Sequence, residues 1–297
     1  HIEVQIIGDG ANVTHLWERD CSVQRRHQKV IELAPAPHLA SATRTAILEA
    51  AIAIGRACSY RGLGTVEFLV EQTGSFYFIE TNPRIQVEHT ITEEITGFDL
   101  VEIQLALASG ASLADVGLDQ PPVLPTGFSL QTRITTETLG PDGTFLPTGG
   151  KLTTYNAPSG PGVRIDGYAY SGYSTNPNFD SLLAKLIVHE KSGDLVRLFA
   201  KAERALSEFQ IDGLDTNIGF LRSLLRLPVV TEWAVDVRTL DAQMQELIAR
   251  QGGQDRFFAA EVGAEVAAVD VHIGADVLRA PMQAMIREIH VAVGDIV

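Results

Sequence analysis

Gly64-Thr65-Val66-Glu67-Phe68-Leu69-Val70, Glu71-Gln72-Thr73-Gly74-Ser75 and Phe76-Tyr77-Phe78-Ile79-Glu80-Thr81-Asn82 read as strand, turn and strand. A turn centred between Thr73 and Gly74 sets Glu67 opposite Glu80 and Thr65 opposite Asn82. Two carboxylates facing each other on one sheet face repel, and both strands are otherwise apolar. A hard cation such as Mg²⁺ between them turns the defect into a site, because it favours carboxylate and carbonyl oxygens. Register alone equally allows a solvent-facing polar pair in an edge hairpin.

The residues that follow, Asn82-Pro83-Arg84-Ile85-Gln86-Val87-Glu88-His89, sharpen the choice. Pro83 favours an extended Asn82. If the extension persists, Glu80, Asn82, Arg84, Gln86 and Glu88 project to one side like a comb. The comb offers metal ligands, then a guanidinium fork suited to a planar oxyanion, then an amide and a carboxylate base. Taken alone, it reads more simply as a polar loop with an internal Arg84–Glu88 pair.

Upstream, Arg25-Arg26-His27-Gln28-Lys29 is the densest basic run, preceded by Arg19 and Gln24. A solvated face and a nucleic-acid contact are both open readings, though the run lacks interleaved aromatics. The sharper alternative is a phosphate- or carbonate-binding strand, with Lys29 as point charge and His27 as donor.

Around these segments the periodicities are plain. His1 to Ile7 alternates, with Ile2, Val4 and Ile6 on one side and His1, Glu3 and Gln5 on the other, which reads as a half-buried strand. Val13 to Glu18 completes a hairpin after the Gly8-Asp9-Gly10 turn. A helix is expected over 41–58, with Ile47, Leu48, Ala51 and Ile54 on one stripe. Helical pattern runs from Ile91, breaks at Gly97, restarts after Asp99 as N-cap and stops at Gly110. A Pro-rich boundary at 120–125 precedes short strands over 128–174 and helices over 195–209, 217–225 and 240–250. A linker begins at Gln251, and strand pattern resumes near Val269.

The 297 residues are 45% hydrophobic and 20% charged, which suits two or more globular domains. Twenty-three Lys+Arg against 37 Asp+Glu give a formal charge of −14, which argues against nonspecific nucleic-acid binding but not against a local anion site. No stretch approaches the roughly 18 consecutive apolar residues of a membrane-spanning helix, and no secretory segment opens the chain. Cys21 and Cys58 are too few for a disulfide framework, so a reducing cytoplasm is the expected compartment. The strand patterns at both ends have no partners in the sequence, and an internal piece of a longer polypeptide is expected.

Glu18-Arg19-Asp20-Cys21-Ser22-Val23-Gln24-Arg25-Arg26-His27-Gln28-Lys29, followed by Ala34-Pro35-Ala36-Pro37, resembles the biotin carboxylase signature, and Glu80 to His89 resembles its second signature. Gly162-Val163-Arg164, Asn178 to Leu186 and Asp212 to Asn217 are similar to the family's C-terminal domain. The resemblance implies an α+β fold: the C-terminal half of an ATP-grasp domain over 1–112 and the biotin carboxylase C-terminal domain over 113–250. It further implies an ATP-dependent ligase that carboxylates biotin through carboxyphosphate, using ATP, Mg²⁺ (or Mn²⁺), bicarbonate and biotin. Glu67, Glu80 and Asn82 match metal ligands. Lys29, Arg84, Gln86 and Val87 (through its backbone) match bicarbonate contacts, and Glu88 matches the base. His1, Gln24 and His27, with Glu67 and Glu80, match the nucleotide side, and Arg164 matches the residue at the biotin enolate. Lys29, Arg84, Glu88 and Arg164 are the implied catalytic set.

In the family an N-terminal domain and an ATP lid precede the residue matching His1, so these residues alone are expected to be inactive and to expose a core face. After a linker at 251–268, Arg279-Ala280-Pro281-Met282-Gln283-Ala284-Met285-Ile286 and Val293-Gly294-Asp295-Ile296-Val297 resemble the first strands of an all-β biotinyl carrier domain over 269–297, with Ala284 where Gly is usual. The short linker favours an acyl-CoA carboxylase over a pyruvate carboxylase. The partners implied are the carrier and carboxyltransferase domains and a second copy of the chain, with neither nucleic acid nor membrane. Two competitors remain: another ATP-grasp carboxylate ligase, and a non-catalytic assembly piece.

Overall fold

The computed structural model describes residues 1–120, 125–176 and 179–250. The Pro-rich stretch at 121–124, Asn178, the expected linker and the expected carrier strands lie outside the described residues.

The first half is built from β1 (Ile2–Asp9), β2 (Val13–Arg25), β3 (Gln28–Ala34), α1 (Ser41–Ala57), β4 (Arg61–Val70), β5 (Phe76–Asn82), α2 (His89–Thr96) and α3 (Leu100–Ala108). Then come β6 (Phe128–Thr135), β7 (Glu137–Leu139), β8 (Phe145–Pro147), β9 (Thr154–Asn156), β10 (Val163–Gly167) and β11 (Leu182–Glu190). The last are α4 (Leu195–Glu208), β12 (Gln210–Asp212), α5 (Ile218–Leu225), α6 (Pro228–Thr231) and α7 (Thr239–Ala249). Eight of these strands form one antiparallel sheet in the order β10-β11-β6-β3-β2-β1-β4-β5. The sheet therefore runs through the boundary expected near residue 112, since Leu33 of β3 pairs with Leu130 of β6. The fold is α+β, as the resemblance implied.

One sheet face is apolar where Ile2, Val4 and Ile6 meet Ile47, Leu48 and Ala51 of α1. Farther along, β3, β6 and β11 share a core with α4 and α5. The other face carries the charged side chains, and α2 packs over it against β2, β3, β6 and β11. This corrects the half-buried reading of β1. Its alternation is real, but Glu3 and Gln5 are fully buried because cations and α2 cover the polar side.

Local chemistry sets the ends of the elements. Asp99 accepts from the Glu102 amide at 2.8 Å and starts α3, and Gly97 closes α2 at φ 79°. The strand reading of the basic run needs correction: Arg26 and His27 form the β2–β3 turn with φ 46° and 68°, while Arg25 ends β2 and Gln28 and Lys29 begin β3. β11 escapes periodicity because both its faces are buried, so its apolar residues do not alternate with polar ones and Lys185 and His189 are buried among them. On β5, at the sheet edge, Tyr77, Phe78 and Ile79 are 56%, 54% and 46% exposed, where an uncovered core face was expected.

The β4–β5 register holds at the pairs that matter, Glu67↔Glu80 and Thr65↔Asn82, but not by the expected turn. Nearer the turn the pairs are Phe68↔Phe78 and Val70↔Phe76, which centres the turn on Thr73, and a bulge at Ile79 restores the register.

Gly213, at φ 96°, lets the β12 corner pass close to the chain at Lys151, where a Cβ would stand 2.2 Å from the carbonyl oxygen. Gly213→Ala is expected to lower the unfolding free energy by about 1–3 kcal/mol, read from the urea midpoint. An unchanged midpoint contradicts the close approach.

Candidate active site

Strand pairing places Arg19, Glu3, Glu67 and Glu80 side by side across β2, β1, β4 and β5. Three adjacent carboxylates on one face are tolerable only with cations among them. Arg19, fully buried, donates to Glu3 Oε1 at 2.5 Å, to Gln5 at 2.9 Å and to Thr92 of α2 at 2.8 Å. From β3, Lys29 Nζ reaches Glu3, Glu67 Oε1 at 3.2 Å and Glu88 Oε1 at 2.6 Å. Burial disfavours the Lys29 charge, but the Glu3, Glu88 and Glu67 carboxylates outweigh it and hold the ammonium charged well above the usual lysine range. Glu3 is likewise desolvated, yet Arg19 and Lys29 hold its carboxyl below the ordinary value.

Glu88 is clamped between two cations, with Oε1 on Lys29 and Oε2 3.1 Å from the Arg133 guanidinium. Arg133 is anchored on Glu32 at 2.7 Å, and Glu32 is steadied by Gln131 at 3.0 Å. Burial raises the Glu32 carboxyl despite Arg133 beside it. On Arg133 itself burial opposes the charge, and Glu32 with Glu88 prevails.

The comb forms differently from the expected extension. Extended backbone ends at Asn82, and the Arg84 amide turns back to the Asn82 carbonyl at 2.9 Å. Folding, rather than extension, brings the teeth together. Asn82 Nδ2 lies 2.9 Å from both Glu67 and Glu80, and Gln86 Nε2 lies 2.9 Å from Glu67. Arg84 is exposed and bonds the Ile85 carbonyl, so the Arg84–Glu88 pair does not form. Glu67, Glu80 and Asn82 suit a hard divalent cation: two carboxylates share one amide, and turning that amide over would present its oxygen to a cation held between them. Gln86 Oε1 is buried without a partner among the described residues.

A cavity of about 930 Å³ collects most of the expected residues. Its walls include Lys29, Glu67, Glu80 and Asn82, then Arg84, Gln86, Val87 and Glu88 from the loop before α2. Of the residues matched to the nucleotide, His1 has its Nε2 2.6 Å from Glu67, Gln24 lies beside His1 Nδ1, and His27 lines the cavity from its exposed turn. Arg164 does not line it. It sits on β10, held by Asp166 at 2.8 and 3.0 Å and by Glu93 at 2.8 Å. Sequence reasoning assigned no role to Glu3, Glu32 or Arg133. Glu3 had a visible signal, as a charge on a strand bounded by apolar partners, whereas Arg133 is unremarkable until β6 pairs with β3.

A polar sheet face holding an acidic cation cradle beside a buried lysine and a clamped carboxylate defines an ATP-grasp type of ligase core. Comparison with known proteins agrees. Residues 1–116 match the family described as carbamoyl-phosphate synthase L chain, ATP binding domain, and residues 131–242 match the biotin carboxylase C-terminal domain. These two stretches belong to the biotin carboxylase ATP-grasp domains of biotin-dependent carboxylases, a family of ATP-dependent ligases that use ATP, Mg²⁺ and biotin. The chain is 48% identical over 258 residues to a pyruvate carboxylase of Aspergillus niger, covering 86% of this chain and 21% of that protein. It therefore spans about a fifth of the length of such relatives. A single-chain, multi-domain long-chain acyl-CoA carboxylase superposes with TM-score 0.80 at 44% identity, over 84% of this chain and 26% of that one. The biotin carboxylase domain of a Hydrogenobacter thermophilus 2-oxoglutarate carboxylase, solved with MgADP and bicarbonate, superposes with TM-score 0.77 at 34% identity, over 83% and 53%.

Proposed function

We propose that these residues activate bicarbonate with ATP and pass CO₂ to biotin on a carrier domain. The observation that carries the reading is Glu88, a buried carboxylate aimed into the cavity yet held by Lys29 and Arg133. Glu88 accepts the bicarbonate proton, and the bicarbonate oxygen then attacks the γ-phosphoryl group of ATP, releasing ADP and leaving carboxyphosphate. Lys29, Arg84, Gln86 and the Val87 backbone hold the anion, and His1, Gln24 and His27 meet the nucleotide. Glu67, Glu80 and Asn82 hold Mg²⁺ or Mn²⁺, which when bound neutralises phosphate charge. Arg164 meets biotin from outside the cavity lining, at the β10 edge. The partners are the carrier and carboxyltransferase domains and a second copy, in the cytoplasm.

The final acceptor we place among acyl-CoA thioesters, on the short linker to the carrier-like sequence and the likeness to an acyl-CoA carboxylase. Pyruvate is the second reading, favoured by the pyruvate carboxylases among the relatives. The test measures ADP release by the full-length carboxylase with bicarbonate and biotin omitted in turn, then ¹⁴C-bicarbonate fixation onto acyl-CoA or pyruvate. Release that requires bicarbonate and rises with biotin is expected. Release indifferent to both points to another carboxylate ligase, and no release at all points to an assembly role.

A further inference from the structure

Gln86, Val87 and Glu88 line the cavity, but the carbonyls of Gln86 and Val87 are gripped from behind. His89 Nδ1 donates to the Gln86 carbonyl at 2.7 Å. Lys185, reaching from β11, donates to the Val87 carbonyl at 2.9 Å. In a trans peptide the N–H points opposite to the C=O. Holding back these two carbonyls therefore turns the Val87 and Glu88 amides away from His89 and Lys185, neither of which lines the cavity.

Lys185 is 8% exposed and stands between two groups already placed at the site. Its cross-strand neighbour on β6 is Arg133, which clamps Glu88, and its neighbour on β10 is Asp166, which takes both nitrogens of the Arg164 fork. Asp166 Oδ2 lies 3.5 Å from Lys185 Nζ. Burial and the nearby Arg164 lower the Lys185 pKa, and the Asp166 carboxylate opposes them.

We propose that Lys185 is a positioning residue of the anion site: it fixes the 87–88 peptide so that the Glu88 amide faces bound bicarbonate, and it ties that peptide through Asp166 to Arg164. The proposal rests on the bicarbonate reading above and assigns a role to a residue that touches neither bicarbonate nor nucleotide.

The test uses the full-length carboxylase, with ADP release measured while bicarbonate and ATP are varied separately. Lys185→Met is expected to raise KM for bicarbonate about tenfold, the loss of one charge-assisted hydrogen bond, with KM for ATP changed less than about twofold. Lys185→Arg is expected to restore most of the loss. Asp166→Asn, on the partly exposed edge strand β10, is expected to raise the same KM a few-fold. Two KM values that stay unchanged, or that rise together in Lys185→Met, overturn the proposal. If Lys185→Met does not fold, an Asp166→Asn enzyme with wild-type KM for bicarbonate overturns it instead. A wild type whose ADP release ignores bicarbonate removes the reading beneath the proposal. A bicarbonate-dependent wild type with unaffected variants removes the proposal alone.

Discussion

Glu88→Gln is expected to cut bicarbonate-dependent ADP release by about 10²–10⁴-fold, the range for loss of a positioned general base. The amide keeps the shape of the side chain and can still accept from Lys29 at 2.6 Å or Arg133 at 3.1 Å, but it cannot take a proton. The fold should survive. Lys29 keeps Glu3 and Glu67, and Arg133 keeps Glu32, so neither cation is stranded. KM for ATP should move little, because Glu88 sits at the loop before α2, whereas His1, Gln24 and His27 lie at the start of the chain and on the β2–β3 hairpin, and Glu67 and Glu80 lie on β4 and β5. Activity within about twofold of wild type would show that the proton goes elsewhere.

The site was legible where chemistry repeats along the chain and dark where it depends on which strands become neighbours. Glu67 and Glu80 could be paired from a hairpin turn, because local register needs only a short loop. The pairing survived a misplaced turn because the bulge at Ile79 offset it, and no composition rule places that bulge. The comb was right in membership and wrong in geometry. Pro83 does extend Asn82, but the chain then folds, sending Gln86 to Glu67 and Glu88 to Lys29 while Arg84, exposed at the cavity wall, bonds the Ile85 carbonyl. Lys29 stood out as a charge in a basic run, yet its counter-charges come from β1, β4 and the loop before α2. Arg133 and Glu32 were silent because β3 and β6 meet across almost a hundred residues of chain. Assigning roles from the residues alone would have required the sheet order, and the resemblance supplied those roles without the contacts that enforce them.

Arg19→Met tests the contact on which the rest of the polar face leans. Arg19 and Glu3 are both fully buried, and Arg19 also ties Gln5 and Thr92 to the pair. Removing the guanidinium leaves Glu3 beside Glu67 with Lys29 shared between them, and breaking a buried pair from one side costs about 3–5 kcal/mol. That loss is expected in urea unfolding followed by tryptophan fluorescence. The double variant Arg19→Met with Glu3→Gln should recover part of it, since the stranded charge goes with its partner. The pH dependence fixes the sign. The folded Glu3 carboxyl lies below its ordinary value of 4.5, so its contribution is present above that pH and is lost as pH falls through the lower folded value. Without Arg19 the depression shrinks, and protonating Glu3 relieves the variant's penalty. The gap between wild type and Arg19→Met should therefore be widest near neutral pH and narrow as pH drops below 4.5. A gap that stays constant through that window would mean that packing around the Arg19 stem, rather than its charge, holds the sheet face together.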